Sequence, residues 1–225
     1  DDTARLVSES GGQGLALACD HTDDAAVAAL AEAIGAGHGR LDLLVNNVWG
    51  GYEQYDPRLF AQPPWEQPLW RWDKMFATGL RAHYATTRAL LPLLLGSPLK
   101  LIVEVSSGDD GKFLGDIQYD VVKAACDRLA FALARRLRRE GITALALHPG
   151  FTRTERVEAV APPEMLAQTQ THSARFVGRC VVALATDPQR AGRSGGTFKA
   201  GQLGLDYGFT DVDGSQPAPF VIPEQ

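Results

Sequence analysis

The sequence lacks the residue sets that disulfide-rich and metal proteins require. Its 225 residues include only three cysteines, odd in number and far apart, at Cys19, Cys126 and Cys180. That spacing indicates neither a disulfide framework nor a zinc site. The histidines are equally scattered and form no triad or metal set: His21, His38, His83, His148 and His172. We therefore expect a reducing, cytoplasmic setting and no metal ion.

Long apolar runs and basic clusters are also missing. No stretch approaches the ~20 apolar residues of a membrane span. A net charge of −5 without a concentrated Lys/Arg face offers no electrostatic footprint for nucleic acid. With 45% apolar and 22% charged residues, and no dividing linker, the chain suits one ordinary α/β domain. We expect a single domain over residues 1–225 that binds neither nucleic acid nor a membrane.

Helix-like and strand-like segments alternate along the chain. Nearly continuous apolar runs of strand length follow segments with helical spacing. The pairs, each a helix and then a strand, are Asp23–Ile34 with 41–47, about 68–95 with 101–107, about 117–140 with 143–149, and 174–188 with a possible last strand at 195–201. Gly35 and Gly37 are expected to stop the first helix. This order predicts right-handed βαβ units and a doubly wound, mainly parallel sheet of the Rossmann type.

Tyr119 and Lys123 lie four positions apart in a helical stretch and therefore share a helix face. A phenol ionises near pH ~10, and a nearby positive charge brings it closer to the pH at which a general acid or base works. Ser107 ends a strand and could hydrogen-bond the same substrate oxygen. On the YxxxK pattern alone, a structural tyrosine beside a snorkelling lysine is the better explanation.

The surrounding residues change that balance. The segment SSGDDGKFLGDIQYDVVKAACDRLA resembles the active-site segment of the short-chain dehydrogenase/reductase family, classical type: a strand, a serine pair, a loop and a YxxxK helix. LVNN resembles the family's NNAG motif, CDHTD its adenine-side acidic motif and HPGFTRT its PGxxxT turn, all in the family's order. The resemblance implies an oxidoreductase that uses NAD or NADP, not distinguishable from these residues, to interconvert a carbonyl and a secondary alcohol.

The resemblance also implies a role for each catalytic residue. Tyr119 would be the general acid/base, and Lys123 would lower its pKa and hydrogen-bond the nicotinamide ribose. Ser107 would orient the substrate oxygen, with Ser106 as the neighbouring candidate. The family forms dimers and tetramers through helix faces like those at 78–95 and 117–140, so a homo-dimer or homo-tetramer is expected.

On the cofactor side, the resemblance adds five residues at strand ends and in the following turn to Tyr119 and Lys123: Asp20, Asn46, Pro149, Gly150 and Thr154. Asp20 would face the adenine, and Asn46 would lie beside the cofactor or brace the sheet. Pro149, Gly150 and Thr154 would hold the carboxamide side of the nicotinamide. Structural alternatives stay open: Asp20 as the start of a helix, Asn46 as a buried hydrogen bonder, and Pro149-Gly150 as a plain turn.

The family's phosphate-binding loop, TGxxxGxG, is not found. SGGQG (10–14) is glycine-rich, but it precedes an apolar segment, LALACD (15–20), that we interpret as a strand, so it cannot present helix N-terminal amides to a pyrophosphate. We therefore expect the first β-α-β segment of the fold to be missing from these residues. Either upstream residues exist or the chain cannot hold a dinucleotide. The first explanation is favoured, because losing a central strand exposes long edges.

A second departure from the family pattern lies in the predicted helix at about 68–95, which precedes the strand at 101–107. Aligning GLRAHYATTRALLP (79–92) with the family's NLxGxFxxTRAxLP places Gly79 where the active-site asparagine usually lies. That asparagine helps to hold a proton-relay water through a local helix distortion. With Gly79 the relay must be rebuilt or bypassed.

Aromatic residues indicate the substrate. All four tryptophans fall between Trp49 and Trp72, after the NN motif. We expect this segment to line a pocket for a bulky apolar small molecule, with Trp49 as a contact and with Met165 and Leu166 from the loop at 152–172. Packing of the aromatics on one another or at a subunit contact is equally plausible. The tail at 209–225 is expected to be a surface strap.

Two other functions stay possible at this point. A non-catalytic binding or regulatory protein on the same scaffold is supported by Gly79 and by the missing glycine loop. It is opposed by the joint presence of Ser107, Tyr119 and Lys123. A dinucleotide-dependent epimerase or dehydratase would use the same Tyr and Lys but usually needs a larger C-terminal substrate domain than this chain offers.

Overall fold

The computed structural model describes residues 2–54, 56–60, 62–168 and 171–222. Its helices are α1 (Asp2–Glu9), α2 (Asp24–His38), α3 (Leu69–Phe76), α4 (Ala82–Leu95), α5 (Ile117–Arg136), α6 (Glu155–Val160), α7 (Pro163–Gln168), α8 (Ala174–Thr186) and α9 (Ala200–Tyr207). Its strands are β1 (Leu43–Asn46), β2 (Leu101–Val105), β3 (Thr143–His148), β4 (Thr152–Arg153), β5 (His172–Ser173) and β6 (Thr197–Lys199). The predicted alternation is confirmed. Within these ranges, no helix has the length and apolar character needed to cross a membrane.

The main sheet is parallel throughout, in the order β1-β2-β3-β6. Alternate residues of β2 face opposite layers of helices, as strand geometry requires. Leu101 and Val103 pack with Phe176 of α8 and Leu203 of α9, whereas Ile102 packs with α4 and α5. The central strands β2 and β3 are covered on both faces and are mainly apolar, with Glu104 of β2 as a buried exception.

Residues 13–20 are not a strand. The prediction that LALACD (15–20) is a strand is wrong, because residues 13–20 have no strand partner within the described residues. Instead the segment follows the turn after α1, a helix that the sequence did not indicate and that buries none of its residues. A glycine-rich turn that follows a helix cannot cradle a pyrophosphate in the way that one opening a helix can.

Helix α2 also runs further than the glycines suggest. The prediction that it stops at Gly35 is wrong: it continues to His38 and ends at Gly39, whose φ of 72° is left-handed and whose N–H donates to Gly35 O. A Cβ at Gly35 would make an ordinary van der Waals contact with Leu93 of α4, at 3.5 Å, so packing does not require glycine at this position.

The predicted helix over 68–95 is interrupted in its middle. Residues Ala77–Arg81 form a π-helical turn between α3 and α4, with Gly79 at its centre. Such a turn widens the helix and frees a backbone carbonyl. Here the freed Gly79 O accepts a hydrogen bond from the thiol of Cys126 on α5, at 3.2 Å. The local helix distortion that the family pattern implied at this position is therefore present without an asparagine.

A buried ion pair fixes the start of α5. Asp116 caps that helix by accepting from Tyr119 N at 2.8 Å, and its second oxygen accepts from Arg71 Nη1 of α3 at 2.9 Å. Both side chains are buried, at 1% and 2% exposure. Removing one partner of such a pair costs about 3–5 kcal/mol, because the other charge stays buried. The first turn of α5, which carries Tyr119, is thus tied to α3.

Candidate active site

The predicted catalytic and cofactor-binding residues of the two central strands and of α5 meet at the carboxyl edge of the sheet. Ser107 follows β2, Gly150 follows β3, and Tyr119 projects from α5 to the same place. They line one cavity of about 330 Å³. The rest of its lining is mostly apolar: Phe113, Leu114, Gly115, Phe151, Phe220 and Ile222. Ligands of parallel α/β sheets bind at this edge.

The proton affinity of Tyr119 is set by burial. Desolvation raises the pKa of Tyr119 above its usual value near 10, and a hydrogen bond with Ser107 partly opposes the rise. The expected lowering by Lys123 is not found, because the ammonium lies 5.7 Å from the centroid of the phenol ring. Tyr119 is therefore a neutral phenol over the neutral range, with a proton available to donate toward the cavity.

The two serines have different partners. Ser106 is buried, and its hydroxyl donates to Lys123 O of α5 at 2.9 Å, so it braces the helix against β2. Ser107 lines the cavity and hydrogen-bonds Tyr119. Of the two candidates, Ser107 is the one positioned to contact a substrate oxygen.

Lys123 is buried beneath an aromatic ring. Its ammonium lies 3.9 Å from the ring centroid of Trp49 and 3.5 Å from Val105 O. Burial lowers the pKa of Lys123 to about 8, opposed by the negative groups nearby. The charge of this residue is consequently sensitive to small changes of its surroundings near neutral pH.

Asn46 belongs to a buried polar network. Its amide donates to Thr87 Oγ1 at 2.8 Å and to Glu104 Oε1 at 2.7 Å. The other oxygen of Glu104 lies 2.9 Å from His83 Nδ1, and His83 Nε2 donates to Val48 O at 2.9 Å. The sheet-bracing alternative for Asn46 therefore agrees with its contacts. Neither His83 nor Glu104 was indicated by the sequence, since a buried pair leaves no local pattern.

The other residues predicted on the cofactor side make structural contacts. Asp20 accepts from Thr22 N and Thr22 Oγ1 at 2.9 and 2.7 Å, which lowers its pKa, but the cap of α2 is Asp23, not Asp20. Thr154 caps α6 by accepting from Val157 N at 3.2 Å. Pro149 O accepts from His172 Nε2 at 2.5 Å. Gly150, at a φ of 83°, forms the turn next to the cavity.

The residues that were predicted to contact the substrate do not lie together in the structure. The ring of Trp49 meets that of Tyr119 edge-on, with 5.4 Å between the centroids, but Trp49 does not line the cavity. Trp65 is 82% exposed and Trp72 stacks on Phe76, so the tryptophans do not form one pocket wall. Leu166 is partly buried in α7 and does not line the cavity. The side chain of Met165, like Tyr55 of the aromatic segment, lies outside the described residues.

Another histidine holds the loop after Ser107. His148 at the end of β3 contacts Gly108 O at 3.1 Å through Nδ1 and Asp127 of α5 at 2.9 Å through Nε2. A Cβ at Gly108 would lie 2.7 Å from the imidazole, so only glycine fits there. The sequence placed His148 near the site but did not indicate its partners.

The C-terminal tail closes one side of the cavity. The expectation of a surface strap is corrected in part, because Ile222 is buried and lines the cavity with Phe220. Asp109 anchors the strap: it accepts from Ile222 N at 2.6 Å and pairs with Lys112 and Lys199. Lys112 Nζ donates in turn to Ile222 O at 2.7 Å. These contacts lower the pKa of Asp109 to about 2, first through the hydrogen bond with Lys199.

Several known proteins are similar to this chain in sequence. A family model described as enoyl-(acyl carrier protein) reductase matches residues 1–189. Human dehydrogenase/reductase SDR family member 1 is 36% identical over 230 residues, which cover 95% of this chain and 73% of that protein. The protein of the same name from Mus musculus is 34% identical over 224 residues, 94% of this chain and 71% of that protein.

A solved structure shares the fold. The crystal structure of a hydroxysteroid dehydrogenase from Escherichia coli has a TM-score of 0.70 at 21% identity, with 88% of this chain and 79% of that chain covered. Sheet order, site and relatives together define a Rossmann-type oxidoreductase. The chain belongs to the short-chain dehydrogenase/reductase family.

The family generally uses NAD(P), and the described residues fit one half of that cofactor. In the turn after Pro149-Gly150, the hydroxyl of Thr152 is buried with no hydrogen-bond partner among the described residues, as expected where a polar ligand group completes the bonding. Tyr119 and Lys123 face the same edge. For the pyrophosphate, no described helix opens with a glycine-rich loop. The fit therefore concerns the nicotinamide side.

The anchor of the strap can be tested by Asp109→Asn. We expect amide hydrogen exchange at Ile222 to accelerate about tenfold or more, because a charge-assisted hydrogen bond and two ion pairs are lost. Asp110→Asn is the matched control, since Asp110 is 89% exposed and should leave exchange unchanged. In the unmodified protein the anchor should persist from neutral pH to below the ordinary carboxyl pKa of 3.8 and be lost as pH falls through about 2. Equal exchange in both variants would contradict this role.

Proposed function

We propose that this protein interconverts a carbonyl and a secondary alcohol with Tyr119 as the general acid/base and NAD or NADP as cofactor. One observation carries the proposal: Tyr119 and Ser107 line the same apolar cavity at the carboxyl edge of the sheet. A phenol and an alcohol that converge in this way can both reach one substrate oxygen.

The roles of the side chains follow from their surroundings. In the reductive direction, Tyr119 Oη donates its proton to the carbonyl oxygen, and Ser107 Oγ orients that oxygen by a hydrogen bond. In the oxidative direction, Tyr119 accepts the hydroxyl proton instead. The bound cofactor supplies or accepts the hydride. Because burial raises the pKa of Tyr119, the protonated form that reduction needs dominates at neutral pH.

Lys123 would contact the cofactor through its charged ammonium group. Its ammonium would hydrogen-bond the nicotinamide ribose. With a pKa of about 8, this charge is lost as pH rises through that value. Thr152, Pro149 and Gly150 would hold the carboxamide side of the cofactor, next to the substrate cavity. NAD and NADP are not distinguished by these groups.

The cavity favours a bulky apolar substrate. Phe113, Phe151 and Phe220 surround the two hydroxyls, and Leu114 and Ile222 complete the wall. Such a lining gains free energy mainly by covering apolar surface, while Ser107 and Tyr119 provide the polar contacts that fix orientation. A cyclic or aromatic ketone, or the corresponding alcohol, has this combination of one polar atom and a large apolar body.

The non-catalytic alternative is less well supported. A binding protein would not need a hydroxyl pair beside a lysine with a lowered pKa, and the π-helical turn at Gly79 is retained although the asparagine is not. We also propose a cytoplasmic location, for which the three free cysteines are the supporting observation.

A second copy of the chain is the partner that we propose. Between α4 and α5 lies an apolar groove of about 550 Å³ whose lining includes Phe76, Leu80, Tyr84 and Leu129. Apolar grooves of this size on a helix pair are typical of interfaces. The family resemblance indicates the same two helices, which supports a homo-dimer or a homo-tetramer.

Replacing Tyr119 by Phe tests the chemistry. We expect kcat for reduction of alpha-tetralone to fall by about a thousandfold or more, because the group that transfers its proton to the substrate oxygen is removed. Binding of NAD(P)H, measured by fluorescence titration, should change little. Tyr207→Phe is the control and should retain turnover, since the hydroxyl of Tyr207 donates to Asp187 and does not line the cavity. Retained turnover in Tyr119→Phe would overturn the mechanism.

Replacing Phe220 by Ala tests the substrate class. We expect kcat/KM for alpha-tetralone to fall about tenfold while that for acetone stays within about twofold, since only the large ketone reaches the strap. Val221→Ala changes the adjacent residue, which is 60% exposed, and should alter neither value. An equal loss for both ketones would count against an apolar substrate held by Phe220.

Replacing Tyr84 by Asp tests the assembly. Tyr84 is 53% exposed on the groove, so a carboxylate there should be tolerated by the fold but should prevent a second copy from packing. Light scattering should then report a lower molecular mass than for the unmodified protein. Val182→Asp, at 62% exposure on α8, should leave the mass unchanged. A monomeric unmodified protein would refute the proposed interface.

A further inference from the structure

The loop after β1 brings an indole ring into the place where a side chain at position 79 would otherwise lie. A Cβ on Gly79 would be 2.4 Å from Cζ3 and 2.6 Å from Cε3 of Trp49, distances that no side chain can adopt. Gly79 is not among the glycines with a positive φ, so its backbone does not require glycine. What requires glycine at this position is the space taken by Trp49.

The same indole covers Lys123. The ammonium lies 3.9 Å from the ring centroid, within the range of a strong cation–π contact, and the ring meets Tyr119 edge-on at 5.4 Å and 78°. Trp49 therefore touches both members of the YxxxK pair. A residue that only covered the substrate would not need to contact the lysine.

The loop that carries Trp49 is held on both sides. Before it, Val48 O accepts from His83 at 2.9 Å, and His83 belongs to the buried network of Glu104. After it, Gly51 N donates to Glu53 Oε2 at 2.7 Å. A Cβ on Gly50 would lie 2.8 Å from Thr78 Oγ1, and one on Gly51 2.6 Å from Met75 Cγ, so the loop backbone packs directly on α3 and the π-helical turn.

We propose that Trp49 is the positioning residue for Lys123, and that Gly79 is its required partner because it leaves room for the indole. The inference rests on the proposed function, in which Lys123 acts beside Tyr119. In this chain the space that the family's asparagine side chain would fill is taken by an aromatic ring from the β1 loop, and the same ring covers the lysine. A cation–π contact carries no proton, so the ring positions the ammonium and does not replace the water relay.

The charged surroundings of Lys123 are few. On its own helix lie Tyr119, Cys126 and Asp127, and from β2 comes Glu104. Glu104 is paired with His83, and Asp127 with His148. Burial is the largest cause that lowers the pKa of Lys123 to about 8. Removing the indole would abolish the cation–π contact, which favours the ammonium, but it would also admit water; because burial is the largest cause of the shift, we expect the gain in hydration to dominate and the pKa of Lys123 to rise.

The first measurement is a carbon NMR titration of the lysine Cε atoms, with the Lys123 signal assigned through Lys123→Met. In the unmodified protein we expect a midpoint at about 8. In Trp49→Ala the midpoint should shift upward toward that of an exposed lysine, and in Trp49→Phe, which keeps a ring face, it should stay close to 8. An unchanged midpoint in Trp49→Ala would overturn the proposal. This readout needs no turnover, so it decides the role of Trp49 even if the proposed reaction fails.

The second measurement is a double-mutant cycle on kcat for alpha-tetralone. Gly79→Ala should lower kcat about tenfold or more by displacing the indole, as should Trp49→Ala. The double variant should be no worse than Trp49→Ala alone, since the clash disappears with the ring. Additive losses would refute the partnership. Gly178→Ala makes the same change in α8 with open space around it, and should leave kcat and thermal stability unchanged.

Discussion

The site depends on how α5 is seated against the end of β2. Three contacts hold this helix: Asp116 caps its first turn and is itself paired with Arg71, the hydroxyl of Ser106 reaches Lys123 O at 2.9 Å, and Asp127 pairs with His148 at the end of β3. Each contact joins the helix to a different element. Tyr119 and Lys123 are therefore fixed in position before any ligand binds, which is the preorganisation that catalysis requires.

The same seating determines the proton affinities. A helix packed this closely onto a buried parallel sheet leaves little water around its inner face, so burial raises the pKa of Tyr119 and lowers that of Lys123 to about 8. Both shifts disfavour the charged form, and they move the two pKa values apart, since that of Tyr119 rises and that of Lys123 falls. Tyr119 therefore keeps its proton over the neutral range, while the charge of Lys123 changes near pH 8.

Most of the fold could be predicted because strands and helices leave periodic patterns. The runs at 41–47, 101–107 and 143–149 became β1, β2 and β3, since strands buried on both faces must be apolar throughout. The prediction of a strand at 15–20 rested on the same apolar pattern and was wrong. An apolar run predicts a strand only if a neighbour pairs with it, and pairing is a tertiary property. Glycine was also ambiguous, because Gly35 lies inside helix α2, whereas Gly39 ends it.

The site was predictable only where its residues form a motif. Ser107 and Tyr119 meet at the cavity as the YxxxK pattern and the family's order indicated. The contacts that support them were not, since Arg71 with Asp116, His83 with Glu104, and Asp109 with Ile222 join residues distant in sequence. No local pattern records such pairs. The tail at 209–222 illustrates the point, because its irregular sequence gives no sign that Phe220 reaches the cavity.

Gly79 shows how one departure from a family pattern can be explained by another. Taken by itself, the loss of an asparagine suggests a weakened site. In space, the missing side chain leaves room that Trp49 occupies, and the π-helical turn keeps its carbonyl bonded through Cys126. An asparagine at this position would help to hold a proton-relay water, whereas the indole covers the ammonium of Lys123 with its ring face. Because the indole comes from the loop after β1, it couples the lysine to the buried Glu104–His83 network, which an asparagine on the helix would not contact through the loop backbone.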